Sequence, residues 1–474
     1  VNARVWSLLT ITLAAGLMGC GDASQMRFVE DTRLAKPVHF KARREVQKVL
    51  EEHFGTPLNS VAWLKLPVNY GRAEGTIKAL DGRSLLVEFN PETTDLESLK
   101  SPDLNRVGLL VTSGANKNQM FSLAGFDLDA KSLEIRGTSE SLPAVGDQFV
   151  VAGQYLSHGR KLYARHCQHC HGVSGDGDGP TARYLNPRPR DYRLGVFKFT
   201  STDKDTLATR DDLTRVIAKG IPGTYMPAFV PLLKEDELKV LVEYVRWLAM
   251  RGQLERQLLT ELKNDFAADR AVREAKESGG SRSDIEKQID TELQTYVKET
   301  LPGFINEVVG DLVTKWEAAE APEAVFIPPV ARVADDAASR ERGKLLFQKE
   351  GKCVNCHGPS GRGDGFQTED YQKNEATGGV YSVRGLHDVW GQPIKPRDLT
   401  RGIYRGGRRP IDIYRRIAQG IKGTPMPPAP NTLKPEDIWD LVNYVLSVPF
   451  ESSSPSTPKT HSVAGQPAGQ EQAN

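Results

Sequence analysis

Two five-residue frames, Cys167-Gln-His-Cys170-His171 and Cys353-Val-Asn-Cys356-His357, hold four of the five cysteines in this 474-residue chain. A disulfide framework would scatter its cysteines, so this pattern points instead to a bound group. Two thiols three positions apart suit the two vinyl groups of a haem, each of which can take one thiol as a thioether. The histidine that follows directly is then placed beneath the iron as its proximal ligand. Zinc prefers four Cys or His ligands in a closed tetrahedral shell, and each frame here has its own His at once and a separate Met downstream. A thioredoxin-like Cys-x-x-Cys needs a βαβ setting, which the flanking sequence does not provide. The expectation is two covalently attached haem c groups, one on Cys167, Cys170 and His171 and the other on Cys353, Cys356 and His357.

The residues around the frames repeat in order. Gly159–Tyr163 matches Gly343–Phe347, Pro189-Arg190-Asp191 matches Pro396-Arg397-Asp398, and Leu213–Gly220 matches Ile413–Gly420. Gly223-Thr-Tyr-Met226-Pro227 matches Gly423-Thr-Pro-Met426-Pro427, and Glu237–Leu248 matches Asp437–Val448 with Tyr244 and Tyr444 in register. This is a duplicated domain. In each copy a Met lies in a Gly-Thr-x-Met-Pro loop, where the rigid Pro suits a non-helical strap across the far side of the iron. Met226 and Met426 are therefore the expected sixth ligands. Met250, on a helical stripe beside Trp247, reads as core. His169, between the first pair of cysteines, faces away from the iron, and His387, in an insertion of the second copy, is the rival axial ligand there.

Each copy resembles a class I cytochrome c domain, a small helical fold whose first and last helices cross closely. The resemblance covers roughly 210 residues, and its Pro-Arg-Asp and Gly-Thr-x-Met-Pro elements are similar to those of bacterial periplasmic respiratory cytochromes. It implies that Gly159 and Gly343 are the small residues at the crossing and that Tyr244 and Tyr444 meet them there. It implies also that Arg190 and Arg397 bind haem propionates, as guanidinium groups suit paired carboxylates. In such families a proline after the Gly-rich run offers its carbonyl to the proximal His Nδ1–H. Pro180 stands there in the first copy and Phe366 in the second, leaving the second acceptor open.

The fold class expected is mainly α. It has two class I cytochrome c-like helical domains (154–252 and 340–450), a small N-terminal β domain (60–153) and an acidic helical inter-domain segment (253–325). The β domain shows as short apolar runs such as Ser84–Phe89, Val107–Thr112 and Gln148–Val151, with turn residues between them. The inter-domain segment carries 16 acidic and 9 basic residues. Its apolar residues recur every four positions, a capping box is expected at Ser283–Glu286, and a last helix opens at Thr300 and Pro302. It reads either as a spacer with solvated faces or as a docking module. Residues 20–59 are expected as a tether and 451–474 as a disordered tail.

Residues 1–19 read as a lipoprotein-type signal peptide: Arg4, an apolar run Val5–Leu17, and a Leu17–Cys20 lipobox that would place a lipid on Cys20. A plain secretory signal is the alternative, and the run falls short of the about 20 residues of a membrane span. Either places the mature protein outside the cytoplasm, on the periplasmic side of a bacterial membrane. A net charge of +1 gives no ground for nucleic-acid binding.

With His and Met filling both axial positions, no open site is left for a substrate. The expectation is an electron carrier without catalytic residues, working between a quinol-oxidising complex or dehydrogenase and a terminal reductase. A dihaem peroxidase would need one vacant iron, and a sensor or assembly subunit would use the β domain to bind a partner.

Overall fold

The computed structural model describes residues 26–71, 73–92, 94, 107–117, 119–136, 142–375 and 377–451. Cys20, the signal peptide and the tail from 452 lie outside these residues. The chain divides into two compact units, Val1–Gly220 with Tyr225–Val325, and Ile221–Thr224 with Phe326–Asn474.

In the first unit, alternation of apolar and polar residues produces six antiparallel strands: β1 (Ala73–Asp81), β2 (Ser84–Phe89), β3 (Gly108–Val111), β4 (Met120–Asp127), β5 (Ser132–Ile135) and β6 (Gln148–Ala152). They close into a barrel in the order β1-β2-β5-β4-β3-β6. One side of each strand fills the interior, with Ile77, Leu85, Val87, Leu109, Phe121, Leu123, Leu133 and Val151 buried together. Closure leaves no strand edge unpaired.

Residues 26–54 are not a tether. They form α1 (Thr32–Ala35) and α2 (Phe40–Phe54), and α2 buries Ala42, Val46, Leu50 and Phe54 at helical spacing. Phe28 and Phe54 pack on Trp247 with ring centroids 5.9 and 5.5 Å away. The apolar face of this 15-residue helix buries itself against the first unit's core instead of leaving the stretch as a linker.

The strand β6 feeds α3 (Gln154–His166), followed by the one-turn α4 (Gln168–His171) and by α5 (Arg210–Lys219). The long helix α6 (Glu235–Asp265) runs past the expected domain boundary at Gly252. Its apolar face continues without a break through Leu254, Leu258, Leu259 and Leu262, all buried, so nothing in the sequence stops it there. Helices α7 (Arg270–Ser278), α8 (Arg282–Glu299) and α9 (Leu301–Ala318) follow. Ser281 rather than Ser283 stands at the start of α8, whose side chain makes no capping bond. Ile289, Leu293, Ile305, Val309, Leu312 and Trp316 join the same core as α3 and α6. The acidic segment is thus an integral layer of the first unit rather than a solvated spacer.

The second unit contains α10 (Ala337–Gln348), the one-turn α11 (Val354–His357), α12 (Pro410–Gln419) and α13 (Pro435–Glu451), with a short hairpin of β7 (Leu386–His387) and β8 (Pro393–Ile394). Its own core gathers Phe347, Leu399, Tyr414, Trp439, Leu441, Val442 and Tyr444.

In both repeats two helices, α3 with α6 and α10 with α13, cross where the sequence places a glycine. A Cβ on Gly159 would lie 2.7 Å from Tyr244 Cβ and 2.9 Å from the Val240 carbonyl oxygen. A Cβ on Gly343 would overlap the Asp440 carbonyl and come within 2.8 Å of Tyr444 Cβ. No larger residue permits these backbones to approach so closely.

Candidate haem-attachment sites

Each Cys-x-x-Cys-His frame folds as a single helical turn. In the first, the Cys167 carbonyl accepts from Cys170 N at 3.1 Å and His171 N at 2.9 Å; in the second, the Cys353 carbonyl accepts from Cys356 N at 3.3 Å and His357 N at 2.8 Å. This brings both thiols and the imidazole of each frame to one local turn. None of these four cysteines is in a disulfide.

The imidazoles are oriented from behind. His171 Nδ1 donates to the Arg190 carbonyl at 3.0 Å and His357 Nδ1 to the Arg397 carbonyl at 3.2 Å. A carbonyl can only accept, so the hydrogen sits on Nδ1 and Nε2 is left with its lone pair for a metal. The acceptor is not Pro180 as the family resemblance implied. It belongs to the Pro-Arg-Asp element, present in both repeats, and this removes the question raised by Phe366. A backbone carbonyl needs no particular side chain, so residue type at 180 and 366 gave no guide; the repetition of Pro-Arg-Asp was the signal available.

Glycines bring that segment close. Gly177 and Gly363 take φ of +73° and +79°. A Cβ on them would stand 2.6 Å from the Pro189 carbonyl oxygen and 2.5 Å from that of Pro396. Their amides donate to the His171 and His357 carbonyls at 2.9 and 2.8 Å. The Gly-Asp-Gly run after each frame is therefore what lets Pro-Arg-Asp lie against the proximal histidine.

The two surroundings differ. His171 is buried and stacks on Tyr192 at 4.8 Å, while Tyr163 donates its hydroxyl hydrogen to the Gly172 carbonyl at 2.8 Å. The second repeat has Leu399 in the place of Tyr192, and His357 is half-buried with Phe347 at 6.2 Å. Beside the second thiol, Cys170 Sγ lies 3.2 Å from Thr181 Oγ1, and Cys356 Sγ donates to Gln367 Oε1 at 3.0 Å.

Burial lowers the His171 pKa to about 4 and lowers that of His357 as well, so both rings are neutral near neutral pH and able to ligate. Burial pushes Cys167 up to about 12 and Cys353 up to about 11, and raises Cys356 too. Adding S–H across a vinyl group leaves a neutral thioether and no buried charge, which suits thiols that burial keeps protonated. Among the described residues, no three Cys, His, Asp or Glu side chains group as a metal shell.

Met226 and Met426 occupy matching loops. Thr224 and Thr424 each donate N–H at 3.1 Å and hydroxyl at 2.8 Å to the carbonyls of Ile221 and Ile421. Ile421 N donates to the Met426 carbonyl at 3.1 Å, which closes the second loop. Both methionines are half-buried, and Met226 packs on the first unit's core. Met250 is fully buried in α6. The His169 carbonyl accepts from Thr181. His387 is buried, its ring stacked on Tyr381 at 3.8 Å and its Nδ1 donating to the Gly385 carbonyl at 3.1 Å. Arg190 and Arg397 serve through their carbonyls, and the Arg397 guanidinium also donates to the Ile403 carbonyl at 2.8 Å.

Paired cysteines beside a neutral, backbone-oriented imidazole, present twice, fit haem c and define a haem-binding protein. Residues 155–245 match the family of cytochrome c oxidase, cbb3-type, subunit III, and residues 340–449 match the cytochrome c family. The chain is a multi-haem class I c-type cytochrome with its cytochrome domains in tandem, and these domains imply haem c binding and electron transfer. No curated protein sequence matches the chain. Among solved structures, a chain of the Kuenenia stuttgartiensis reducing HAO-like protein complex aligns over 61% of this chain and 95% of its own length, at 25% identity and a TM-score of 0.41.

Proposed function

We propose that this protein carries electrons through two covalently bound haems between respiratory redox complexes outside the cytoplasm. The observation that carries the reading is the repetition of the whole constellation. Each frame has its backbone-oriented histidine, and each has a Thr-pinned loop offering a methionine. Haem supplies the one-electron chemistry. Cys167 and Cys170, with Cys353 and Cys356, would hold it by thioethers; His171, His357, Met226 and Met426 would ligate the iron; Arg190 and Arg397 would meet the propionates. Ligation by both a thioether sulfur and an imidazole would raise the potential and leave no open position for a substrate. This favours a carrier over a dihaem peroxidase.

The donor side is a quinol-oxidising complex or a dehydrogenase and the acceptor a terminal reductase. The likeness of the first domain to an oxidase subunit family supports the latter. A lipid on Cys20 keeps the protein at the periplasmic face of a membrane, and Cys20→Ser should release it into the soluble periplasmic fraction.

The test of the central reading is spectroscopic. A pyridine haemochrome assay on the purified protein should give two haems per chain, resistant to acid–acetone extraction, and the reduced protein should not bind carbon monoxide. One haem per chain would overturn the paired sites. Carbon monoxide binding by the wild type would bring the peroxidase reading forward.

A further inference from the structure

The two repeats differ most between the Gly-rich run and Pro-Arg-Asp. Ten residues take the chain from Gly179 to Pro189, but thirty-one from Gly365 to Pro396. The described part of the extra length in the second repeat is held by its own bonds. His387 N donates to Gln372 Oε1 at 2.5 Å, and Tyr381 stacks on the His387 ring. At the tip, the buried Asp388 accepts from Trp390 N at 3.1 Å and Gln392 N at 3.0 Å. This bonding fixes the turn between β7 and β8 and commits Val389 and Trp390 to one place.

That place is the methionine loop. Val389 N donates to the Gly423 carbonyl at 3.2 Å. A Cβ on Gly423, where φ is +68°, would lie 2.6 Å from Trp390 Cη2 and Cζ3 and 3.1 Å from Val389 Cγ2. The indole, only 6% exposed, therefore lies flush on backbone three residues before Met426. Gly423 answers two demands at once, a left-handed turn and contact with an aromatic ring.

A strap that carries an axial ligand opens by local unfolding, and its opening free energy depends on the contacts made only when it is closed. From this geometry we infer that Trp390 and Val389 are positioning residues for Met426, bracing the strap of the second haem shut with an insertion that the first repeat does not have. The inference rests on Met426 being the axial ligand.

Imidazole, a small ligand competing for the sixth position, reports strap opening in the oxidised holoprotein. Entry should occur in two phases, one per haem, with Met226→Ala identifying the first-haem phase by making it fast. Trp390→Phe is the sparing variant, since it keeps an aromatic ring but lacks the outer indole atoms that touch Gly423. It should speed entry at the second haem roughly tenfold, equivalent to about 1.4 kcal/mol of closure, and leave the first-haem phase unchanged. Trp390→Ala should give a larger effect. Should Trp390→Ala lose its second haem or its fold, Trp390→Phe still decides the matter. Unchanged entry in Trp390→Phe, alongside fast second-haem entry in Met426→Ala, would overturn the brace and leave the ligand assignment standing. Unchanged entry in Met426→Ala would overturn the assignment itself.

Discussion

At the scale of single residues, the same amino acid stands in different settings according to the loop or helix that holds it, and methionine shows this most clearly. Met226 and Met426 lie in turns closed by threonine hydrogen bonds to the carbonyl three residues back, while Met250 is enclosed on all sides by a helix core. Met226→Ala should convert the first haem alone to a high-spin form that binds carbon monoxide when reduced, with its potential lowered, and Met426→Ala should do the same to the second. Met250→Ala should leave both spectra unchanged and cost about 2–5 kcal/mol, as expected for truncating a buried methionine. Ultraviolet–visible spectra of the three variants decide it: a low-spin Met226→Ala protein beside a high-spin Met250→Ala protein would reverse the assignment. The frames and both loops were legible because their chemistry needs particular side chains at particular spacings. The carbonyls of Arg190 and Arg397 were not, since a backbone acceptor leaves no mark in residue type.

Among elements, the helix crossings were legible and the extent of the helices was not. Gly159 and Gly343 stood out because the repeats align there, and in each unit the glycine meets the tyrosine expected. An interior helical glycine replaced by alanine would ordinarily gain roughly 0.5–1 kcal/mol. Here the added methyl would press on a neighbouring backbone carbonyl in both units, and overpacking of this kind costs about 1–3 kcal/mol, so the penalty wins. Gly159→Ala and Gly343→Ala should both destabilise, and Gly343→Ala more, because its Cβ overlaps the Asp440 carbonyl outright. Denaturant titration of each variant measures this, and a stabilised protein would mean that the helices slide apart at little cost. The length of α6 escaped the sequence reading for a different reason: the repeat ends near Gly252, but the buried stripe does not. Likewise α2 carries a buried apolar face inside a segment expected to be a tether.

For the whole molecule, the question is how far the chain behaves as one cooperative body. The acidic stretch after the first haem domain has the periodic apolar residues of amphipathic helices, and sequence alone could not say what those residues pack against. They pack on α6. Trp316 is fully buried, its indole N–H donates to Gln253 Oε1 at 2.9 Å, and the Arg246 guanidinium lies over its ring at 4.7 Å. A spacer with solvated faces would lose little when such a residue is cut back. A core layer loses the full cost of an internal tryptophan, about 3–5 kcal/mol. The second unit has a separate core built from Phe347, Tyr414, Trp439 and Tyr444, and its stability should not depend on α9. Trp316→Ala should therefore lower one calorimetric unfolding transition, that of the first unit, by several degrees and leave the other where it was. Both haem spectra should be unchanged below the first transition. Equal shifts in both transitions would mean that the two units unfold together, and no shift in either would return α7 to α9 to the role of a spacer.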